Sequence, residues 1–233
     1  MILGMLSSPV RAFTLNSTSG IWSNVVDGTQ VGYYTAGTEQ QVRWGSPALG
    51  SGVENQSGLG FTGVGLQTIG VDSLFNLGQL RHFNNPVYGG TAAAAADLAI
   101  TIDFADFADQ VFNFTLTIDE TPNVAGTCTY PSTIPCSDRI TWSSAVSAST
   151  ITLSGTDYTL QLVGFSSNPL GGDVITDFIS QERTTSSAYL FGKLTMVASA
   201  SNSVGIPEPS SILGLSLAGM ALAARRFSAK KPR

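Results

Sequence analysis

Apolar side chains in this chain recur at every second position. Phe112, Phe114, Leu116 and Ile118 alternate with Asn113, Thr115, Thr117 and Asp119, and Leu98, Ile100, Ile102 and Phe104 follow the same rule. A period of two places one set of side chains on one face of an extended strand, so such segments must cover that face with a second layer. Ile151 and Leu153, the turn Ser154-Gly155-Thr156-Asp157, then Tyr158, Leu160 and Leu162 predict a hairpin. A final strand carries Leu190, Leu194 and Met196 on one face, with Tyr189, Phe191 and Val197 on the other. Only the stretch 91–98, with its run of alanines, predicts a short helical turn. Short strands joined by turns rich in Gly, Ser and Asn predict an all-β fold, an antiparallel β-sandwich of jelly-roll type. No repeat and no linker divides residues 13–198, which read as one domain.

The charge balance narrows the partners. Charged residues make up 12% of the 233 residues, against roughly 25% in ordinary soluble domains. Hydrophobic residues reach 42%, enough for a sizeable core. Between Phe13 and Ile206 five basic residues (Arg43, Arg81, Arg139, Arg183, Lys193) face fifteen acidic ones, a formal charge of −10. Nucleic acid is excluded as a partner, since its binding needs clustered Lys and Arg. A surface covered by hydroxyls and amides suits cations or neutral polysaccharide.

The ends differ from the body. Five of the eleven basic residues (Arg225, Arg226, Lys230, Lys231, Arg233) fall in the last nine positions. Before them, 210–224 is an uncharged run of 15 residues, and before that stands Pro207-Glu208-Pro209. As a helix the run spans about 22 Å, short of the roughly 30 Å hydrocarbon core of a membrane. It predicts one short C-terminal transmembrane helix, entered from an extended Pro-Glu-Pro segment and stopped by Arg225 and Arg226 on the cytoplasmic side. Residues 1–12 read as the remnant of a signal peptide, with Val10-x-Ala12 fitting a small-residue cleavage site. The expected organisation is a signal remnant (1–12), a β-sandwich ectodomain (13–198), a linker (199–206) and a sorting tail (207–233). Cys128 and Cys136 fit no common zinc spacing. In an exporting cell they predict one disulfide, contributing about 2–3 kcal/mol by closing a short loop, with two free thiols as the alternative.

The tail resembles the PEP-CTERM sorting signal of exported bacterial proteins. That likeness covers Ile206 to about Arg226: Pro207-Glu208-Pro209, a short apolar helix, then an arginine pair. It implies transient anchoring in the inner membrane, processing by an exosortase-type enzyme, and a destination at the cell surface or beyond, beside exopolysaccharide. The body resembles the THxN family of PEP-CTERM proteins, close to the choice-of-anchor K domains. The residues that carry this likeness follow in order: Trp22, Arg43-Trp44-Gly45, Ser57-Gly58, Phe61, Phe75, Leu77-Gly78, His82-Phe83-Asn84, Asp119-Glu120-Thr121-Pro122-Asn123, Cys128, Cys136, Tyr158, Gly164-Phe165 and Glu182. Arg81 stands where that family has its naming Thr, so of that motif His82 and Asn84 remain. The resemblance implies fold and location, and no activity.

Candidate chemistry is sparse. His82, the one histidine, could ligate a metal or move a proton, or lock a loop by hydrogen bonds. Asp119 and Glu120, with the Asn123 carbonyl, could hold Ca²⁺, which takes about six to eight oxygen ligands; ordinary turn chemistry uses the same residues. Asp103, Asp106 and Asp109 do not match a calcium loop. Trp22, Trp44, Tyr33 and Tyr34 could form an aromatic platform for a sugar ring, or pack in the core, and Arg43 could stack with Trp44. No nucleophile elbow, phosphate loop or dinucleotide fingerprint occurs. The expectation is a protein without enzymatic activity or a resident cofactor, with a carbohydrate- or Ca²⁺-binding module as the alternative.

Overall fold

The computed structural model describes residues 11–122, 127–132 and 135–198. The linker, the sorting tail, most of the signal remnant and Asn123 therefore lie outside the described residues. The described chain is all-β, with one turn of 3-10 helix at Val53–Asn55. In chain order its strands are β1 (Ala12–Val26), β2 (Gly32–Ala36), β3 (Glu39–Trp44), β4 (Ser57–Gly63), β5 (Gln67–Gly70), β6 (Phe75–Asn84), β7 (Ala95–Phe104), β8 (Gln110–Asp119), β9 (Asp138–Trp142), β10 (Ile151–Leu153), β11 (Thr156–Ser166), β12 (Phe178–Ser180) and β13 (Thr184–Met196).

These strands form two curled antiparallel sheets, packed as a sandwich. One has six strands in the order β12-β9-β8-β7-β1-β5, and the other seven in the order β10-β11-β13-β6-β4-β3-β2. The alternation read from the sequence sets the faces. Leu98, Ile100 and Ile102 of β7 and Phe112, Phe114 and Leu116 of β8 are buried in one continuous core with Leu59, Phe61, Leu77, Leu80, Leu160 and Leu190 of the other sheet. The hairpin expected at 151–162 is present as β10–β11, with Ile151 opposite Tyr158.

Two contacts key the sheets together. Trp22 of β1 reaches across and donates from Nε1 to the Gln40 carbonyl on β3 at 2.9 Å. The buried Phe61 ring occupies a slot bounded by two glycines: a Cβ on Gly20 would meet the ring at 2.5 Å, and one on Gly78 at 2.4 Å. Gly20 belongs to one sheet and Gly78 to the other, so side chains are absent from both walls of the slot.

The alanine stretch 91–98 is not a helical turn. Its second half is strand β7, where Ala95 pairs with Thr117 on one side and Val26 on the other. Ala94 donates its N–H to the Val26 carbonyl and accepts from Ile118 N–H at 2.8 Å, so the backbone is claimed from both sides by neighbouring strands. Sheet pairing overrides alanine's helical preference here, because a strand between two partners satisfies its polar groups in a way that one isolated turn cannot. Met196, grouped by spacing with Leu190 and Leu194, is 56% exposed at the end of β13, whereas those two are fully buried. Among the described residues no helix is long and apolar enough to cross a membrane, and 210–224 lies outside them.

Candidate functional site

One end of the sandwich gathers oxygen atoms. Strand β8 ends at Asp119, and the chain then turns through Glu120 and Thr121. Strand β9 opens on Asp138, whose register partner on β12 is Ser180. Glu182 sits in the turn from β12 to β13, and Asn84 is the last residue of β6, paired with Thr184. Antiparallel pairing thus brings four distant segments together where the two sheets meet. Nearest carboxylate oxygens of Glu120, Asp138 and Glu182 all lie within 4.8 Å of one another.

The surroundings of these groups are mostly dry. Asn84, Asp138 and Ser180 are fully buried, and Glu182 is 2% exposed. Asp138 Oδ1 accepts from the Thr121 backbone N–H at 2.8 Å and from Thr121 Oγ1 at 3.1 Å. Its carboxylate also lies against the Glu120 and Asn84 side chains. Asn84 Nδ2 donates to the Ser180 carbonyl at 2.9 Å, a bond that joins β6 of one sheet to β12 of the other. Neither oxygen of Glu182 has a donor in hydrogen-bond geometry, and the adjacent Arg183 N–H is committed to the Asn84 carbonyl at 2.8 Å. Asn84 Oδ1 is likewise without a donor.

Electrostatics follows from that burial. Desolvation, then the charge of Asp138, pushes the Glu182 carboxyl up to about 8, with Arg183 pulling the other way. Desolvation pushes Asp138 up to about 6 against the hydrogen bonds from Thr121. Two neighbouring acids that resist ionisation define a place where positive charge would be welcome. Beside Glu120 the site opens into a cleft of about 550 Å³, with Thr121 and Pro122 on one wall and the segment from Val87 to Gly90 on the other.

The structure sorts the residues singled out from the sequence. Asn84, Glu120 and Thr121 join the site. Asp119 does not: at the end of β8 the alternation turns it outward, where its carboxylate is 3.7 Å from Arg139 and accepts from Tyr130 Oη. Adjacent residues of a strand point to opposite faces, so Asp119 and Glu120 do not share a site. Asn123 lies outside the described residues. Cys128 and Cys136 form a disulfide in the β8–β9 connection, next to the site. Trp22 and Trp44 are buried at 4% and 0% exposure, so neither presents a ring face to solvent, whereas Tyr33 and Tyr34 on β2 are exposed. Arg43 does not stack on Trp44, its neighbour on the opposite face. Its guanidinium lies 3.4 Å from the centre of the Phe83 ring, with that of Arg81 at 4.6 Å. Arg81 Nη1 pairs with Glu39 Oε2 at 3.0 Å, which makes this residue part of a polar layer on the outside of the seven-stranded sheet.

Asp138, Ser180 and Glu182 were not singled out by their chemistry. Glu182 stood in the ordered set of residues behind the family resemblance, and that was its one signal. Asp138 opens a strand directly after the disulfide, a position that announces nothing.

His82 faces the core between Leu59 and Ser186 and is fully buried. Burial first, then the Arg43 charge, lowers its pKa to about 3, so the ring is neutral in the folded protein at ordinary pH. The consequence for stability has a definite sign. Above about pH 6.5 the ring is neutral in both states; below it the unfolded chain takes up a proton that the folded chain refuses until about pH 3. His82 therefore removes stability as pH falls from about 6.5 towards 3. Glu182 and Asp138 act in the opposite direction, since their raised values favour the folded state in acid. Urea melts of the native chain and His82→Leu across pH 7 to 4 isolate the histidine: the acid limb of the variant should fall less steeply. A difference between the two that stays constant over this range would show that His82 does not titrate in this way.

Comparison with protein-family models and with characterised proteins finds no match to this chain.

Proposed function

We propose that this chain is an exported surface or matrix protein whose sandwich domain is a binding module and not a catalyst. The carrying observation is the chemistry of the site at the sheet junction. Its donors are oxygens, and its three carboxylates approach within 4.8 Å of one another in a largely buried setting. Carboxylate pairs that cleave glycosidic bonds stand about 5–5.5 Å or roughly 6.5–9.5 Å apart, on either side of a bound sugar. A tight buried cluster suits holding a ligand better than flanking a scissile bond.

Export has its own support. A disulfide persists in oxidising compartments. The domain has few charges, and its exposed strand faces carry Thr, Ser and Asn. At the C-terminus, Pro207-Glu208-Pro209, the apolar run 210–224 and Arg225-Arg226 stand in the order of a sorting signal. We read 207–233 as a tail that holds the protein briefly in the inner membrane and is processed there by an exosortase-type enzyme. The sandwich is of the jelly-roll kind and, delivered by that tail, works beside exopolysaccharide.

Pulse-labelling the native chain in its host, with and without the sorting enzyme, tests the export half. The C-terminal fragment should be lost only where the enzyme is present. An identical C-terminal mass in both strains would sink the processing claim. Retention of the purified chain on polysaccharide affinity gels tests the binding half.

A further inference from the structure

Building on the reading of the sandwich as a binding module, we propose that Asn84, Glu120, Asp138 and Glu182 hold one Ca²⁺ ion that fastens the six-stranded sheet to the seven-stranded one. Oxygens that share a calcium ion at about 2.4 Å can stand at most about 4.8 Å apart. The carboxylate oxygens of Glu120, Asp138 and Glu182 meet that limit, each within 4.8 Å of the others.

Asn84 points to an ion independently. Its side chain is fully buried, and its amide is fixed from one side by the bond from Nδ2 to the Ser180 carbonyl at 2.9 Å. The amide lies against the Asp138 carboxylate, and both groups are fully buried. The amide oxygen has no donor. A buried carbonyl without a partner is unfavourable, and a cation beside it supplies what a donor would. Glu182, with no donor in hydrogen-bond geometry to either oxygen, stands in the same position.

The donor set selects the ion. Three carboxylates and an amide oxygen are hard ligands, which argues against the thiolate- and imidazole-preferring metals; His82 faces the core and is not part of the set. Calcium accepts about six to eight oxygens in flexible geometry, and a bidentate Glu fills two positions at once. Magnesium demands near-ideal octahedral geometry and gives up its water reluctantly, which fits a dry site poorly. Glu120, the half-buried member of the set, also lines the open cleft, so the cluster meets solvent-accessible space on that side. Because Asn84 comes from β6 while Asp138 opens β9, an ion held by both crosses between the sheets.

The test uses the full chain, purified in mild detergent and stripped with EGTA. Titration with CaCl₂ by calorimetry should give one ion per chain. At a thousandfold excess over the dissociation constant the thermal midpoint should rise by about 10 °C or more. Glu182→Gln keeps the side-chain volume and should weaken calcium binding by about tenfold or more, whereas Asp119→Asn, outside the cluster, should leave it unchanged. Glu120→Gln, at the half-buried member, serves if the first variant fails to fold. A folded chain that binds no calcium overturns the proposal, as does equal weakening by Asp119→Asn. A Glu182→Gln chain that binds calcium as the native one does overturns it too. Polysaccharide retention measured in parallel separates the two readings. Loss of calcium binding with retention intact overturns the ion alone, and loss of both overturns the binding module as well.

Discussion

Truncating Phe61 to Ala should lower stability by about 3–5 kcal/mol and the thermal midpoint by roughly 10 °C or more. The ring is fully buried, and it projects from β4 into the slot between Gly20 and Gly78. Neither glycine has a side chain that could move into the vacated volume, so the cavity persists, and cavity volume adds to the lost transfer energy. The converse substitution should fail for the same reason. Gly20→Ala places a methyl group where the ring now lies, 2.5 Å from its nearest carbon. Phe61→Leu, smaller and flexible, should recover part of that loss in the double variant, which is the signature of two residues sharing one space. Urea melts of the native chain, Phe61→Ala, Gly20→Ala, Phe61→Leu and the double variant measure all three terms. If Phe61→Ala costs less than about 1 kcal/mol, the slot is not the key between the sheets.

Gly63→Val should abolish cooperative folding, a loss greater than about 4 kcal/mol. A Cβ at Gly63 would stand 1.8 Å from the Thr18 carbonyl oxygen and 2.4 Å from its carbon, both backbone atoms. The two segments are bound there from several directions. Thr18 N–H donates to the Val64 carbonyl at 2.9 Å, the Val64 N–H donates to Thr18 Oγ1 at 2.9 Å, and Thr18 Oγ1 donates to the Leu77 carbonyl at 2.6 Å. Neither chain can retreat without giving up these bonds. Across the ladder Gly63 faces Gly78, whose φ of +154° further restricts that position to glycine. Gly65→Ala is the control, since nothing lies within 4 Å of a Cβ there, and it should change stability by less than about 0.5 kcal/mol. Near-ultraviolet dichroism and a urea melt of each variant decide; a Gly63→Val chain with a native-like transition would refute the close approach.

The carboxylate site and these glycines use the sandwich differently. The glycines let the sheets approach, and the site lies where their strand ends converge. Asn84 and Ser180 are 96 residues apart in the chain yet share a hydrogen bond. Asp138 and Thr121 are 17 apart, separated by the disulfide-closed loop. A cation held among these groups would act as a third kind of fastening, beside packed core and disulfide.

Alternation was sufficient to place β7, β8, β10, β11 and β13, because the direction of a side chain along a strand is a local property with a period of two. Leu98 through Phe104 and Phe112 through Ile118 are buried as their spacing required. Cysteine spacing and the surplus of acid over base could also be read without coordinates, the first as a disulfide and the second as an excess of negative charge. Pairing is another matter. Whether an alanine run becomes a helical turn or an inner strand depends on partners arriving from elsewhere, here β1 and β8, and local propensity is too small to decide it. The outward turn of Asp119 and inward turn of Glu120 depend on where β8 stops. Trp22 and Trp44 could have lined a surface by composition, and only the second sheet buried them. Asn84, Glu120, Asp138 and Glu182 became neighbours through antiparallel register between strands far apart in the chain. Such proximity is a property of closed topology, which no local pattern of residues encodes.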